Sequence, residues 1–339
     1  MFARMLAALM LATGLASAAT AQEVTLRLHQ FLPAQSFVPS SILDPWAGRI
    51  EAASGGRIKI EIFPSMQLGG KPADLVDQLV DGVVDIIWTL PGYTPGRFPR
   101  TEVFELPFLV ADAESASRAY WEIAQSDMIA TDFKDMQILG TWVHGPGVVH
   151  SSRPVLRLED TAGLKLRAPS RITAQLLEGL GAVALGMAVP AVPEALSRGV
   201  IDGALLPWEV TSSIRAAELV HNHTEFPGRS IYVATFILAM NKERYAGLPD
   251  DLRAIIDAES GLAFSANAGR LQQAADAPMR AEAVAAGNAV VSLDAAEVAR
   301  WQAAAEPVRA RWLADMAAAG IDGAALLARV TAALAAHGG

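Results

Sequence analysis

The sequence predicts an α/β protein of two lobes with a cleft between them. Three observations carry that expectation. Apolar alternating strands and helical segments follow one another over residues 24–89. The same order recurs in the middle of the chain, and from Asp250 onward the sequence is Ala-rich and mostly helical. Strand–helix–strand order of this kind builds an open sheet covered by helices. A chain of 339 residues is long enough for two such units.

The elements follow in order. "EVTLRLHQF" puts Val24, Leu26 and Leu28 on one face and Thr25, Arg27 and His29 on the other, as a strand does. Ile42, Leu43, Trp46 and Ile50 recur at helical spacing, so a helix spans roughly Ser40 to Ser54. Gly55-Gly56 makes a turn into an alternating strand through Ile58, Ile60 and Ile62. A helix over Pro72 to Val80 ends at Gly82, and "VVDIIWTL" is a buried strand. After "FELPFL" come a helix from about Asp112 to Ile129 and the strand "MQILGTWV". "VVHSSRP" and "GLKLRAP" are short strands, and "SRITAQLLEGLG" is a helix. "EALSRGVIDGALLP" is a helix end, a turn and a strand, and "YVATFILAMN" is a long apolar strand. Pro278, Gly287 and Pro307 are expected breaks in the helical tail.

Composition narrows the function. Charged residues are 19% and hydrophobic ones 52%, with a net charge of −9, which argues against a nucleic-acid partner. There is no cysteine, so disulfides and thiolate chemistry are excluded. Residues 1–21 read as a secretory signal peptide: Arg4, an apolar run from Met5 to about Ala16, and Ala19-Thr20-Ala21 before Gln22. Elsewhere no apolar run reaches the roughly 18 residues that a membrane span requires. The mature protein is therefore expected to be soluble and exported, into the periplasm of a Gram-negative cell.

Catalytic motifs are missing. The sequence holds no G-x-S-x-G, H-E-x-x-H or Walker A pattern. His221, His223 and Glu225 in "HNHTEF" are the nearest thing to a metal cluster, but a solvated polar loop is the preferred reading and no metal is expected. Asp85 in "GVVDII" and Asp202 in "GVIDGA" both follow a Gly-Val pair at the start of a strand, where a carboxylate accepts from backbone donors. Trp46, Trp121, Trp301 and Trp312 lie on helices and read as packing residues, whereas Trp88, Trp142 and Trp208 lie at strand ends. In open α/β sheets, ligands sit at the carboxyl ends of strands. "GLKLRAPS" ends such a strand, with Lys165, Arg167 and Pro169 on one face and Leu164, Leu166 and Ala168 on the other.

The order of "GGRIKIEIFPSMQLGG", "DGVVDI", "FELPFL", "SSRPVLRLEDTAGLKLRAPS", "LGAVALGMAVPAVPEALSRGVIDG" and "FILAMNKERYAGLP" resembles the solute-binding subunits of tripartite ATP-independent periplasmic (TRAP) transporters, in the dicarboxylate-binding-protein family. The resemblance runs from about Val24 to at least Asn267. It implies a two-lobed periplasmic binding protein fold, with hinge strands and a long spanning C-terminal helix. It also implies a ligand captured between the lobes and delivered to a membrane permease, with no enzymatic activity and no cofactor. The expected division is 22–144 plus about 233–272 in one lobe, 145–232 plus about 273–305 in the other, and a helical tail over 306–339. Hinges are expected at Trp142 to Gly145 and near Arg229 to Tyr232. Such proteins are expected to be monomers.

In this family the arginine of the G-L-K-x-R motif pairs with the ligand's carboxylate, which implies Arg167. A second arginine found in sugar-acid binders aligns with Gly147, and an asparagine after "DG" aligns with Leu206. A buried polar ligand group without a partner costs roughly 1–3 kcal/mol. An organic monocarboxylate of aromatic, 2-oxo or 2-hydroxy type is therefore expected, walled by Trp88, Trp208, Phe31 and Tyr232, with His144 donating to a hydroxyl or oxo group. A sugar acid or dicarboxylate ligand, or an exported hydrolase or ligand sensor on the same scaffold, is the alternative.

Overall fold

In the computed structural model, which describes residues 22–339, the strands divide between two sheets. The expected signal peptide lies outside the described residues. The chain begins β1 (Val24–His29), α1 (Asp44–Ala53), β2 (Ile58–Phe63), α2 (Leu75–Val80), β3 (Ile86–Thr89), α3 (Ala113–Ile123) and β4 (Met136–Val143). It continues β5 (Val148–Ser151), β6 (Lys165–Ala168), α4 (Arg171–Gly179), β7 (Val183–Gly186), α5 (Val192–Ser197), β8 (Gly203–Leu206), α6 (Ala216–Leu219) and β9 (Asn222–Glu225). Then follow β10 (Thr235–Asn241), α7 (Lys242–Ala246), α8 (Asp250–Ala258), α9 (Gly261–Ala274) and α10 (Asp276–Ala285). The chain closes with β11 (Ala289–Ser292), α11 (Ala295–Ala318) and α12 (Gly323–Ala336).

The first sheet has the order β2-β1-β3-β10-β4, with β1 parallel to β2 and β3, and β10 antiparallel to β3 and β4. The second has the order β11-β9-β5-β8-β6-β7, with β6 parallel to β7 and β8 and β5 antiparallel to β8 and β9. Helices cover these sheets, so the central strands are apolar on both faces: β3, β8 and β10 are buried along their whole length. β1 keeps the alternation of its sequence, with Leu26 and Leu28 buried and Arg27 exposed.

Two aspartates play matching parts in the two sheets. Asp85, just before β3, accepts the Arg27 N–H of β1 at 2.7 Å. Asp202, just before β8, accepts the Lys165 N–H of β6 at 2.8 Å. Each carboxylate satisfies a donor of the neighbouring strand, so the turn reading of both residues holds.

Three connections run from one sheet to the other. Residues 144–147 link β4 to β5, residues 226–234 link β9 to β10, and Ala275 joins α9 to α10 on the way to β11. The long spanning helix is thus α9 and α10 in series. α9 lies against α3 and β4. The approach is close because Gly269 has no side chain: a Cβ there would stand 2.2 Å from Ser117 Oγ and 2.6 Å from the Ala113 carbonyl.

Several expectations are corrected. "HNHTEF" is not a loop but strand β9, and β7 and β11 are strands the sequence pattern did not mark. β9 reads Asn-His-Thr-Glu without an apolar residue, and β7 and β11 are partly exposed edge strands, so none shows the apolar pattern of a buried strand. The break in the long helix falls at Ala275, and Pro278 sits in the first turn of α10, where its missing N–H is not needed. Pro307 lies inside α11 and does not end it, so the tail expected from 306 begins within a continuous helix. Val298, Trp301, Ala305, Val308, Trp312 and Met316 are buried on both sides of that proline. Their packing outweighs the one backbone bond it forfeits.

Candidate functional site

The candidate site starts from β6. Lys165 is exposed at its start, while Arg167 is 1% exposed. The Arg167 guanidinium donates from Nε to the Met187 carbonyl at 2.9 Å and from Nη1 to the Leu205 carbonyl at 3.0 Å. Nη2 is buried and has no hydrogen-bond partner in the protein. A guanidinium has five N–H groups and does not deprotonate. Two are committed to carbonyls, which leaves a hydrogen on Nη1 and both on Nη2. Those are the edge a carboxylate meets with two parallel bonds. Burying that charge against carbonyl dipoles alone is unfavourable, and an anion in front of the free edge relieves the penalty.

Arg167 faces a small cavity lined by residues of both sheets. Part of its wall is aromatic. Phe31, just after β1, stacks on Trp88 of β3 with centroids 4.5 Å apart, and Trp88 stacks on Phe236 of β10 at 5.5 Å. Tyr93 meets Phe31 edge-on at 5.5 Å. The Tyr93 hydroxyl accepts the Val189 N–H at 3.1 Å, which ties the segment after β3 to the segment after β7. Burial pushes the Tyr93 and Tyr232 hydroxyls up, and the Arg167 charge works against that rise in both. The Trp88 indole N–H is buried without a partner.

Gly147 explains its own lack of a side chain. A Cβ there would stand 2.2 Å from the Tyr232 ring and 2.9 Å from the Tyr232 carbonyl. The tyrosine ring occupies the place where a side chain at 147 would begin. Leu206, at the other departure from the family pattern, lines the cavity. Leu206 therefore gives the wall an apolar side chain, and at Gly147 the Tyr232 ring takes the room of one.

The structure brings together Phe31, Trp88, His144, Arg167 and Tyr232 around this cavity. It does not place Trp208 there. The Trp208 indole donates to Glu225 at 2.9 Å and packs against His150 and His223, on the far side of its strand end. The stacking role expected of Trp208 is therefore corrected. His144 lines the cavity, but both ring nitrogens are engaged: Nδ1 donates to the Gly145 carbonyl at 2.6 Å and Nε2 accepts the Ala234 N–H at 2.9 Å. Burial pushes its pKa down to about 4, so it stays neutral and has no donor left for a ligand. Its expected donation to the ligand is likewise corrected.

Tyr93, Phe236, Glu209 and Gln272 also line the cavity and were not singled out from the sequence. Phe236 reads as core because its strand is apolar throughout. Glu209 had one visible signal, a lone carboxylate in "ALLPWEV". It is 1% exposed, accepts from Gln272 Nε2 at 2.9 Å, and burial pushes its pKa up to about 7. His223 and His150 form a buried pair, Nδ1 to Nδ1 at 2.8 Å, away from the cavity. Among the described residues no group of three or more His, Asp or Glu is arranged to hold a metal ion.

Comparison with known proteins adds to this geometry. The family model described as bacterial extracellular solute-binding protein, family 7, matches residues 30–315. Among solved structures, the chain is similar to a TRAP solute-binding protein of Rhodoferax ferrireducens T118 holding copurified benzoate: 49% identity, TM-score 0.91, covering 93% of this chain and 98% of that one. It is 42% identical to a marine metagenome TRAP solute-binding protein specific for aromatic acid ligands, co-crystallised with 3-hydroxybenzoate, at TM-score 0.91 over 94% of this chain and 99% of that one. A Bordetella bronchiseptica TRAP periplasmic solute-binding protein with bound (R)- and (S)-mandelate is 30% identical, at TM-score 0.85 over 91% and 98%.

Proposed function

The chain belongs to the bacterial extracellular solute-binding proteins of family 7, as a TRAP solute-binding protein, and on that premise we propose that its ligand is an aromatic monocarboxylate. Members of this family are receptors that work with a membrane permease and are not enzymes. The observation that carries the ligand class is the free edge of the Arg167 guanidinium, buried at a cavity lined mostly by aromatic and aliphatic side chains. One carboxylate satisfies the arginine, and an aromatic body fills the space beside Phe31, Trp88, Tyr93, Tyr232 and Phe236. Neither Gly147 nor Leu206 has a polar group for the hydroxyls of a sugar acid. The similar proteins that hold benzoate, 3-hydroxybenzoate and mandelate support this reading.

The binding residues are Arg167 as the carboxylate anchor and Phe31, Trp88 and Tyr232 as walls, with His144 holding the wall in place through its backbone bonds. The two sheets belong to separate lobes that turn about residues 144–147 and 226–234 and close on the ligand. Closure is a population shift, because the ligand touches both walls only in the closed form. The receptor works as an exported monomer in the periplasm after loss of residues 1–21.

A thermal-shift screen of benzoates, mandelate, 2-oxo acids, uronates and C4-dicarboxylates tests the ligand class. A ligand at 100 times its Kd stabilises the folded state by about 2.7 kcal/mol, which is readily seen. Large shifts with benzoates or mandelate are expected. Large shifts only with uronates or dicarboxylates would overturn the proposal.

A further inference from the structure

Beyond the arginine, the cavity wall contains a carboxyl with a buried oxygen that has no partner in the protein. β8 ends at Leu206, and the next residues turn Trp208 and Glu209 to opposite sides. Trp208 goes outward to Glu225, and Glu209 goes inward to the cavity. The Glu209 backbone is held by its N–H, which donates to Asp276 Oδ1 at 2.8 Å at the head of α10. The carboxyl is held by Oε2, which accepts from Gln272 Nε2 at 2.9 Å. Gln272 in turn accepts the Trp142 indole N–H on its own oxygen at 2.9 Å, so its amide can only present the NH₂ group to Glu209. This chain of bonds fixes the carboxyl plane. Glu209 Oε1 is left buried and without a protein partner. Glu209 also forms the partition to a more open pocket bordered by Gln35, Phe37, Ser40 and Met279.

The two ends of the cavity differ in kind. The Arg167 charge acts on His144, Tyr93 and Tyr232, whereas the influences on Glu209 are its burial and Gln272. One end offers donors only, and the other offers a carboxyl oxygen, with rings between them. A carboxylate turned toward Glu209 would meet a second carboxyl in a buried setting, which like charges disfavour.

We propose that Glu209 is the specificity-determining residue that recognises a hydroxyl group on the bound aromatic acid, accepting its proton on Oε1, and that it excludes diacids. The inference rests on the reading of the cavity as a site for an aromatic monocarboxylate. A hydroxyl-bearing acid completes the hydrogen bonding of Glu209, and an unsubstituted one leaves Oε1 unmatched. A site built to bond a ligand hydroxyl discriminates against the analogue that lacks it.

Isothermal titration of the mature protein compares benzoate, 3- and 4-hydroxybenzoate, 3-hydroxyphenylacetate, 3-methoxybenzoate and isophthalate. At least one hydroxylated acid is expected to bind about tenfold or more tighter than its unsubstituted parent. The methoxy analogue, which has no proton to give, is expected to lose that gain, and isophthalate to bind more weakly than benzoate. In Glu209→Leu the ratio of hydroxylated to unsubstituted Kd values is expected to fall toward one, a change that a merely structural role would not produce. Wild-type protein that binds benzoate and every hydroxylated acid alike, or that prefers isophthalate, would overturn the inference and leave the ligand class standing. An unchanged ratio in Glu209→Leu would do the same. Binding of no aromatic monocarboxylate at all would overturn both. The wild-type comparison decides the matter even if the leucine variant does not fold.

Discussion

The two sheets contribute opposite things to one cavity. From the first sheet and its loops come Phe31, Trp88, Tyr93 and Phe236, all rings. From the second come Arg167 on β6 and Glu209 after β8, whose Nη2 and Oε1 are buried without a partner. The first wall thus supplies stacked rings, and the second supplies a charge and a carboxyl beside apolar Val189, Leu206 and Val210. The division teaches why a ligand with one charged end and a flat body suits the site: it must touch both walls to satisfy either. A ligand held by one wall alone gains little from closure.

The largest break in that comparison is Arg167→Ala, which removes the charge of the second wall. Affinity for an aromatic acid is expected to fall by about 2–5 kcal/mol, measured by calorimetry. Unchanged affinity would remove Arg167 from the site. Gly147→Ala attacks the seam between the walls. Its Cβ would stand 2.2 Å from the Tyr232 ring, so the ring must shift, at an overpacking cost of about 1–3 kcal/mol. A lower melting temperature together with weaker binding is expected, and a neutral substitution would mean the ring moves freely.

Arg171 tests how the walls are held together. It opens α4 on the second sheet and forks onto Glu102, after β3, at 3.0 and 2.5 Å. It also pairs with Asp315 of α11. Unlike Arg167, four residues earlier, it has carboxylates as partners. Arg171→Ala is expected to weaken ligand binding by about 1 kcal/mol through loss of closed-form contacts, with the wall chemistry intact. Small-angle scattering of the ligand-free variant should then show a more extended molecule, and an unchanged profile would count against this latch.

The smallest effect is on stability against pH. Burial pushes Glu105 and Glu209 up to about 7 and Asp276 up to about 8. Burial pushes His144 down to about 4, and also lowers His150 and His223. Between about pH 6.5 and 8 the histidines are neutral in the folded protein and at most half protonated in the unfolded chain, so the carboxyls dominate the slope. The unfolded chain has already released those protons while the native state holds them. Stability therefore falls as pH rises through this window. Below about 6.5 the histidines add the opposite slope, because only the unfolded chain takes up their protons. A melting temperature that declines from pH 6.5 to 8, with a shallower decline in Asp276→Asn, is expected by scanning calorimetry.

Much of this architecture was legible without coordinates. Strand alternation, apolar runs and helical spacing located β1 to β6, β8 and β10, because buried strands and half-buried helices leave an apolar pattern in the sequence. The motif around Arg167 and the departures at Gly147 and Leu206 pointed to an anion anchor with apolar neighbours. Phe31, Trp88 and Tyr232 followed as wall residues.

What the sequence could not settle concerned irregular backbone and distant partners. Trp208 and Glu209 are adjacent, and beyond the end of β8 no period says which of them turns inward. His144 looked like a free donor until Ala234, 90 residues away, was found bonded to its ring. The Tyr232 ring over Gly147 is likewise a contact between chain segments that meet only where β4 and β9 leave their sheets. The sequence by itself determined the layers and singled out Arg167, Gly147 and Leu206, since these depend on local pattern. Only the tertiary structure decided which side chains share the cavity and which have hydrogen bonds to spare, because those partners come from remote parts of the chain.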